Sequence, residues 1–228
     1  MMVDVAPAGT RRRGRPPATD SADTRQAILV NARRLFAERG FGAVTNKDVA
    51  VASGITTGAL YHYVDSKLDL YLAVHRDMQR RVYGRFVEAV ETSATFLGQL
   101  DGVLEAAHEL NVEDPTLALF VGTVRTDMRR FPEVAERLER SVTARDEFFV
   151  SMVGAGVASG EIRPGDHDLV VEFVRILLIG LTEGGSESPE CHRLAIDSIR
   201  ALLRGELIVE VSEPAREHRD AEPGEEHG

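Results

Sequence analysis

Residues 45–67 read TNKDVAVASGITTGALYHYVDSK. Thr45 is followed three residues later by Asp48, the spacing of an N-cap with an acidic partner, so a short helix opens there. It closes at Ser53 and Gly54, where glycine takes a left-handed turn conformation without steric penalty. A second short helix starts at once, with Thr56 as its cap. Ile55 just before the cap is spaced to pack on Leu60, a hydrophobic staple that fixes how the chain enters the helix. Leu60 and Val64 share the inward side. Thr57, Gly58, Ala59, Tyr61, His62 and Tyr63 are left outside, a surface of small residues and aromatic hydrogen-bonding groups instead of the lysines and glutamates of a solvated face. Ser66, with Asp69 as partner, caps a third helix. Two short helices across a glycine turn, buttressed by an earlier amphipathic helix, make a helix-turn-helix, whose second helix lies in the DNA major groove.

The buttress lies just upstream. Ile28, Ala32, Leu35 and Phe36 recur at the spacing of one apolar helix face, Asp23 and Gln26 form a capping-box start, and Gly40 ends the helix. Downstream the pattern stays helical: one long helix over about 66–91, then segments near 96–111, 115–130, 134–159, 167–183 and 190–204. No stretch alternates apolar and polar residues long enough for a sheet, and no repeat is found. The expected fold is all-α, an N-terminal three-helix helix-turn-helix domain followed by a larger helical domain. The expected division is a flexible arginine-rich arm over 1–22, the DNA-binding domain over 23–70, the helical body over 71–205 and a solvated acidic tail over 206–228.

Charge supports this division. The 228 residues carry a formal net charge of -10, yet residues 1–85 hold 14 Lys+Arg against 8 Asp+Glu, and residues 86–228 hold 13 against 29. A basic first third on an acidic body points to a polyanion that meets the first third alone. A lone cysteine, Cys191, excludes an internal disulfide, and no Cys/His spacing suits zinc. The N-terminus lacks the apolar stretch of a signal peptide, and the most apolar run, 169–181, is too short to span a bilayer and carries Glu172 and Arg175. The expected compartment is the cytoplasm.

The stretch ILVNARRLFAERGFGAVTNKDVAVASGITTGALYHYVDSK, within about residues 24–72, resembles the TetR family of bacterial transcriptional regulators. It has the family's order of helix, glycine, Thr-capped helix, Gly-turn, and Leu-Tyr followed by aromatic and Ser-Lys positions. It departs from the family at Val64, where an aromatic is common, at Asp65, where Pro or Gly is common, and at Asn46, where an apolar residue is frequent. The resemblance implies that Thr45, Thr56, Thr57, Ala59, Tyr61, His62, Tyr63 and Lys67 touch DNA. By side-chain type, Thr57 and Ala59 suit thymine methyls, while Tyr61, His62, Tyr63 and Lys67 suit phosphates. Arg13-Gly14-Arg15-Pro16 has an AT-hook-like core, and an arm ahead of a helix-turn-helix is placed to lay Arg13 and Arg15 in the adjacent minor groove. The alternative is a basic tether that adds nonspecific affinity only.

In the body, residues 168–184 are apolar nearly all round, so that helix needs cover on two sides. One cover is its own core. The other is a second copy of the chain, through the helices near 167–183 and 190–204, with Ala195, Ile199, Leu202 and Leu203 on one face; the alternative is a fully internal helix in a monomer. The family resemblance implies an effector pocket, for which Phe96, Leu100, Leu104, His108, Phe120, Val124, Met128, Phe148, Phe149 and Met152 are the candidates. The same spacing serves an ordinary bundle core. No phosphate-binding Gly loop, His-Glu-x-x-His or Gly-x-Ser-x-Gly occurs, so neither catalysis nor a cofactor is expected. The reading is a homodimeric regulator of a palindromic operator, a repressor released by a small molecule; the rival is a nonspecific DNA-binding helical protein or adaptor without an effector.

Overall fold

The computed structural model describes residues 18–139, 144–184 and 188–208. Within them lie α1 (Ala18–Ala43), α2 (Asn46–Ala52), α3 (Thr57–Leu60), α4 (Lys67–Val90), α5 (Phe96–Glu113), α6 (Thr116–Arg130), α7 (Pro132–Glu139), α8 (Ala144–Ala158), a 3-10 turn (Pro164–Asp166), α9 (His167–Gly184) and α10 (Pro189–Leu203). No strand occurs among the described residues, and the fold is all-α as expected. Arg13, Arg15, the rest of the arm up to residue 17 and the tail beyond residue 208 lie outside them.

Two boundaries differ from the sequence reading. α1 already includes Ala18, the first described residue, so Asp23 lies inside a helix and not at its start. The helix expected over 134–159 starts earlier, at Pro132, a residue suited to the first helical position; its described parts are α7 and α8, and residues 140–143 lie outside the described residues.

The first three helices close over Ile28, Phe36, Val44, Val49 and Leu60, each at most 1% exposed. α4 starts against this unit and runs on into the body, where its Tyr71 meets Phe120 of α6 edge-on with centroids 5.3 Å apart. α6 in turn lies along α1, and two polar contacts fix the pair. Arg33 of α1, only 1% exposed, donates from Nε to Thr116 Oγ1 at 3.0 Å, ion-pairs with Asp114 and lies 4.0 Å from Asp77. Burial lowers the Arg33 pKa while Asp114 opposes that effect; a buried guanidinium needs such partners to stay charged.

The second contact sits where α1 gives way to the DNA-binding helices. Gly40 has φ +74°, which breaks the helix, and a side chain there would press on the Asp127 carboxylate 3.2 Å away. Asp127 of α6, buried, accepts the Phe41 N–H at 2.9 Å and the Tyr71 hydroxyl at 2.9 Å. The Phe41 carbonyl accepts from Lys67 Nζ at 2.8 Å, and the same ammonium lies 4.3 Å over its ring. Phe41 is therefore held through its N–H, its carbonyl and its ring, which also meets Phe36, Tyr71 and Phe131.

Asp127→Ala strands a buried N–H and a buried hydroxyl, each worth about 1–3 kcal/mol. The variant is expected to lose about 2–4 kcal/mol of unfolding free energy in urea titration, with Asp127→Asn losing less; a change within about 0.5 kcal/mol would remove Asp127 as the anchor.

Candidate nucleic-acid interface and inner cavity

The caps form as the spacing requires. Thr45 Oγ1 accepts the Asp48 N–H at 3.2 Å while Asp48 Oδ2 accepts the Thr45 N–H at 2.8 Å, a complete capping box that lowers the Asp48 pKa. Gly54 takes φ +68° between α2 and α3. Thr56 Oγ1 accepts the Ala59 N–H at 3.1 Å, and Ser66 Oγ accepts the Asp69 N–H at 3.1 Å. The regular part of α3 is only Thr57–Leu60; the chain then coils on in turns, the N–H groups of Tyr63 and Val64 both donating to the Leu60 carbonyl. Leu60 is fully buried, and Ile55 and Val64 are partly buried against the same core.

Thr45, Thr56, Gly58, Tyr61 and His62 are exposed, and Thr57 and Ala59 are half-buried on the same short segment. Tyr61, at 52% exposure, accepts from Asn46 Nδ2 at 3.3 Å, so α2 steadies the ring's outer end. Two expected contact residues lie differently from the sequence reading. Tyr63 is half-buried and packs on the core instead of standing outside. Lys67 points its ammonium back at Phe41.

A cavity of about 340 Å³ opens in the body between α4, α5, α6, α7, α8, α9 and α10. Of the candidates read from the sequence, Val124, Met128 and Phe149 line it. Phe96, Leu100, Leu104, Phe120, Phe148 and Met152 are buried core outside its lining. His108 also lies outside the lining, but its Nδ1 is 3.1 Å from Nδ1 of His192, which is 3% exposed and does line the cavity. The sequence reading missed His75, Tyr83, Arg145, Arg175 and His192 on the wall. Apolar periodicity reports which side chains face inward, and it does not report where they leave a void. His75 has an Nδ1 without a hydrogen-bond partner among the described residues, and burial, then Arg145 and Arg76, hold its pKa down at about 4.

α9 divides its apolar residues between two sides. Val174, Leu178 and Leu181 are buried, whereas Leu169, Phe173 and Ile176, at spacings of four and three, are exposed at 71%, 44% and 59%. On α10, Ala195 and Ile199 are half-buried against the core, while Leu194, Leu202 and Leu203 are exposed. Among the described residues no helix is long and apolar enough to cross a membrane, and no three His, Cys, Asp or Glu side chains are grouped to hold a metal ion.

Comparison with known proteins agrees with this arrangement. Residues 28–74, which span the capped helices, match the sequence pattern of "Bacterial regulatory proteins, tetR family". The HTH-type transcriptional repressor KstR2 of Mycolicibacterium smegmatis is 30% identical over 158 residues, 68% of this chain and 75% of that protein. The chain belongs to the TetR family. A further relative, the HTH-type transcriptional activator FasR of Mycolicibacterium smegmatis, is 38% identical over 204 residues, 90% of this chain and 82% of that protein. Salmonella enterica GusR superposes with a TM-score of 0.68 at 28% identity, covering 84% of this chain and 99% of that one. The protein is thus a helix-turn-helix transcriptional regulator and not an enzyme.

A Cβ on Gly58 would meet nothing closer than Thr56 Oγ1 at 3.9 Å. Gly58→Leu is therefore expected to fold with equal stability or a gain of about 0.5–1 kcal/mol. In anisotropy titrations it should lose DNA affinity about 10-fold or more, the scale of a lost base-pair contact. Wild-type affinity would place the DNA elsewhere.

His75 gives a pH dependence. Its pKa is depressed from 6.5 to about 4 on folding, so the unfolded chain takes up the proton first as pH falls. Its contribution to stability is complete above 6.5 and is lost as pH drops toward 4. The thermal midpoint should fall between about pH 7.5 and about pH 5, and fall less in His75→Gln; equal slopes would contradict the assignment.

Proposed function

We propose that this regulator binds a twofold-symmetric operator as a homodimer in the cytoplasm, represses transcription there, and leaves when a small molecule fills the cavity. The reading divides the chain into the arm over 1–22, the DNA-binding unit over 23–70, the effector and dimer body over 71–205 and the acidic tail over 206–228. Its main support is the uncovered apolar stripe Leu169, Phe173 and Ile176 along one side of α9, with Leu194 and Leu202 also exposed on the neighbouring α10. Such an exposed apolar stripe favours a partner surface, and a twofold pairing presents two recognition segments to two half-sites.

Thr57, Ala59, Tyr61 and His62 are the groups that approach bases and phosphates, with Thr45, Thr56, Tyr63 and Lys67 at their margins. In this reading Arg13 and Arg15 follow the backbone into the neighbouring minor groove. Lys67 serves DNA binding chiefly by holding Phe41, and with it the angle of the helix-turn-helix. α6 supplies the coupling. It lines the cavity with Val121, Val124, Arg125 and Met128, while Asp127 between them grips Phe41. A ligand that displaces α6 moves the joint, and a coupling of about 1–3 kcal/mol is sufficient to change DNA affinity 5-fold or more.

Ile176→Asp tests the dimer. Light scattering should report a single chain where the wild type gives two, with operator affinity reduced about 100-fold or more by the loss of linked half-sites. A variant that stays dimeric on DNA would refute this interface.

A further inference from the structure

The charged residues lining the cavity run against those of the rest of the body. Residues 71–205 hold 15 Lys+Arg against 22 Asp+Glu, yet among the described residues the charged side chains on the cavity wall are Arg125, Arg145 and Arg175 against Glu139. The guanidiniums differ in what already holds them. Arg175 gives both Nε and Nη2 to Glu172, at 2.9 Å and 2.5 Å, and Arg125 is paired with Glu183. Arg145 meets Asp146 through Nε only, at 2.8 Å, which leaves its two terminal nitrogens without a partner among the described residues.

Beside it stand His75, its Nδ1 without a hydrogen-bond partner, and Tyr83, whose phenol burial keeps protonated and able to donate. Arg145 acts electrostatically on both. The remaining wall is apolar, with Val82, Phe86, Val121, Met128, Phe149 and Leu178 prominent. A volume of 340 Å³ equals about eleven water volumes at roughly 30 Å³ each. That suits a chain or ring system of moderate size with one polar end.

Resting on the effector reading above, we infer that the cavity takes an amphipathic carboxylic acid, its apolar body among the aromatic and aliphatic side chains and its carboxylate on the Arg145 fork beside His75 and Tyr83. Arginine's paired terminal nitrogens match the two oxygens of a carboxylate. A neutral alcohol of equal length fills the same volume without using the fork.

The test uses the full-length chain with decanoic acid and 1-decanol as probes, titrated calorimetrically below their aggregation concentrations. Decanoate is expected to bind about 10-fold or more tightly than decanol. Arg145→Gln should remove that advantage without changing decanol affinity, and Arg145→Lys should restore part of it. Arg145 has a 38% exposed side chain, so helix content should be unchanged in both variants. Equal binding of acid and alcohol, decanoate binding unchanged in Arg145→Gln, or no binding of either probe would overturn the carboxylate assignment. DNA release is read separately: decanoate bound through Arg145 with DNA still held would keep the ligand class and overturn its role as effector. Release by decanol but not decanoate would keep an effector cavity and overturn the carboxylate.

Discussion

One buried carboxylate decides where the DNA-binding helices point. Asp127 Oδ2 receives both the backbone N–H of Phe41 and the hydroxyl of Tyr71, so α1 and α4 meet α6 on one oxygen atom. Phe41 follows Gly40, whose positive φ ends the helical run of α1. The chain from there to α2 is only a few residues long, and Lys67 closes the loop from the far side by donating to the Phe41 carbonyl. Remove the carboxylate and two buried donors lose their acceptor, a loss that neighbouring apolar rings cannot make good.

Arg33 gives the joint a second strut about two turns away on α1. Its contacts with Thr116 and Asp114 tie the start of α6, and Asp127 ties its end. Two fixed points define the orientation of a rod, so α6 and the helix-turn-helix move together or a buried polar contact breaks. The proposed effector cavity lies along the other side of this rod. Coupling between ligand and DNA then needs no long chain of contacts, since the element that lines one site anchors the other.

The local grammar of the recognition segment was legible because its determinants are neighbours in sequence: Thr45 with Asp48, Ser53 with Gly54, Thr56 with Leu60, Ser66 with Asp69. The all-α class and the spans of α4, α5, α6, α9 and α10 followed from apolar periodicity in the same way. The joint was not legible, because Arg33 meets Asp114 and Asp127 meets Phe41 across more than eighty residues. A signal did exist: Asp127 falls on the buried face of α6 with Phe120 and Val124, and Arg33 lies beside Ala32 on that of α1. A charge on an apolar face requires a distant partner, although the sequence does not say which. The cavity was read only in part, since Val124, Met128 and Phe149 line a void whereas Phe96, Leu100 and Leu104 fill one. Arg145 looks in sequence like any solvated helix residue.

Selection of bound duplexes from random DNA by the full-length chain, in the presence of excess unrelated competitor, tests the central claim most directly. The expected result is a single enriched motif with twofold symmetry, bound by two chains and lost in Gly58→Leu. Recovery of no motif, or of a single unpaired half-site bound by one chain, would contradict a dimeric operator-reading regulator.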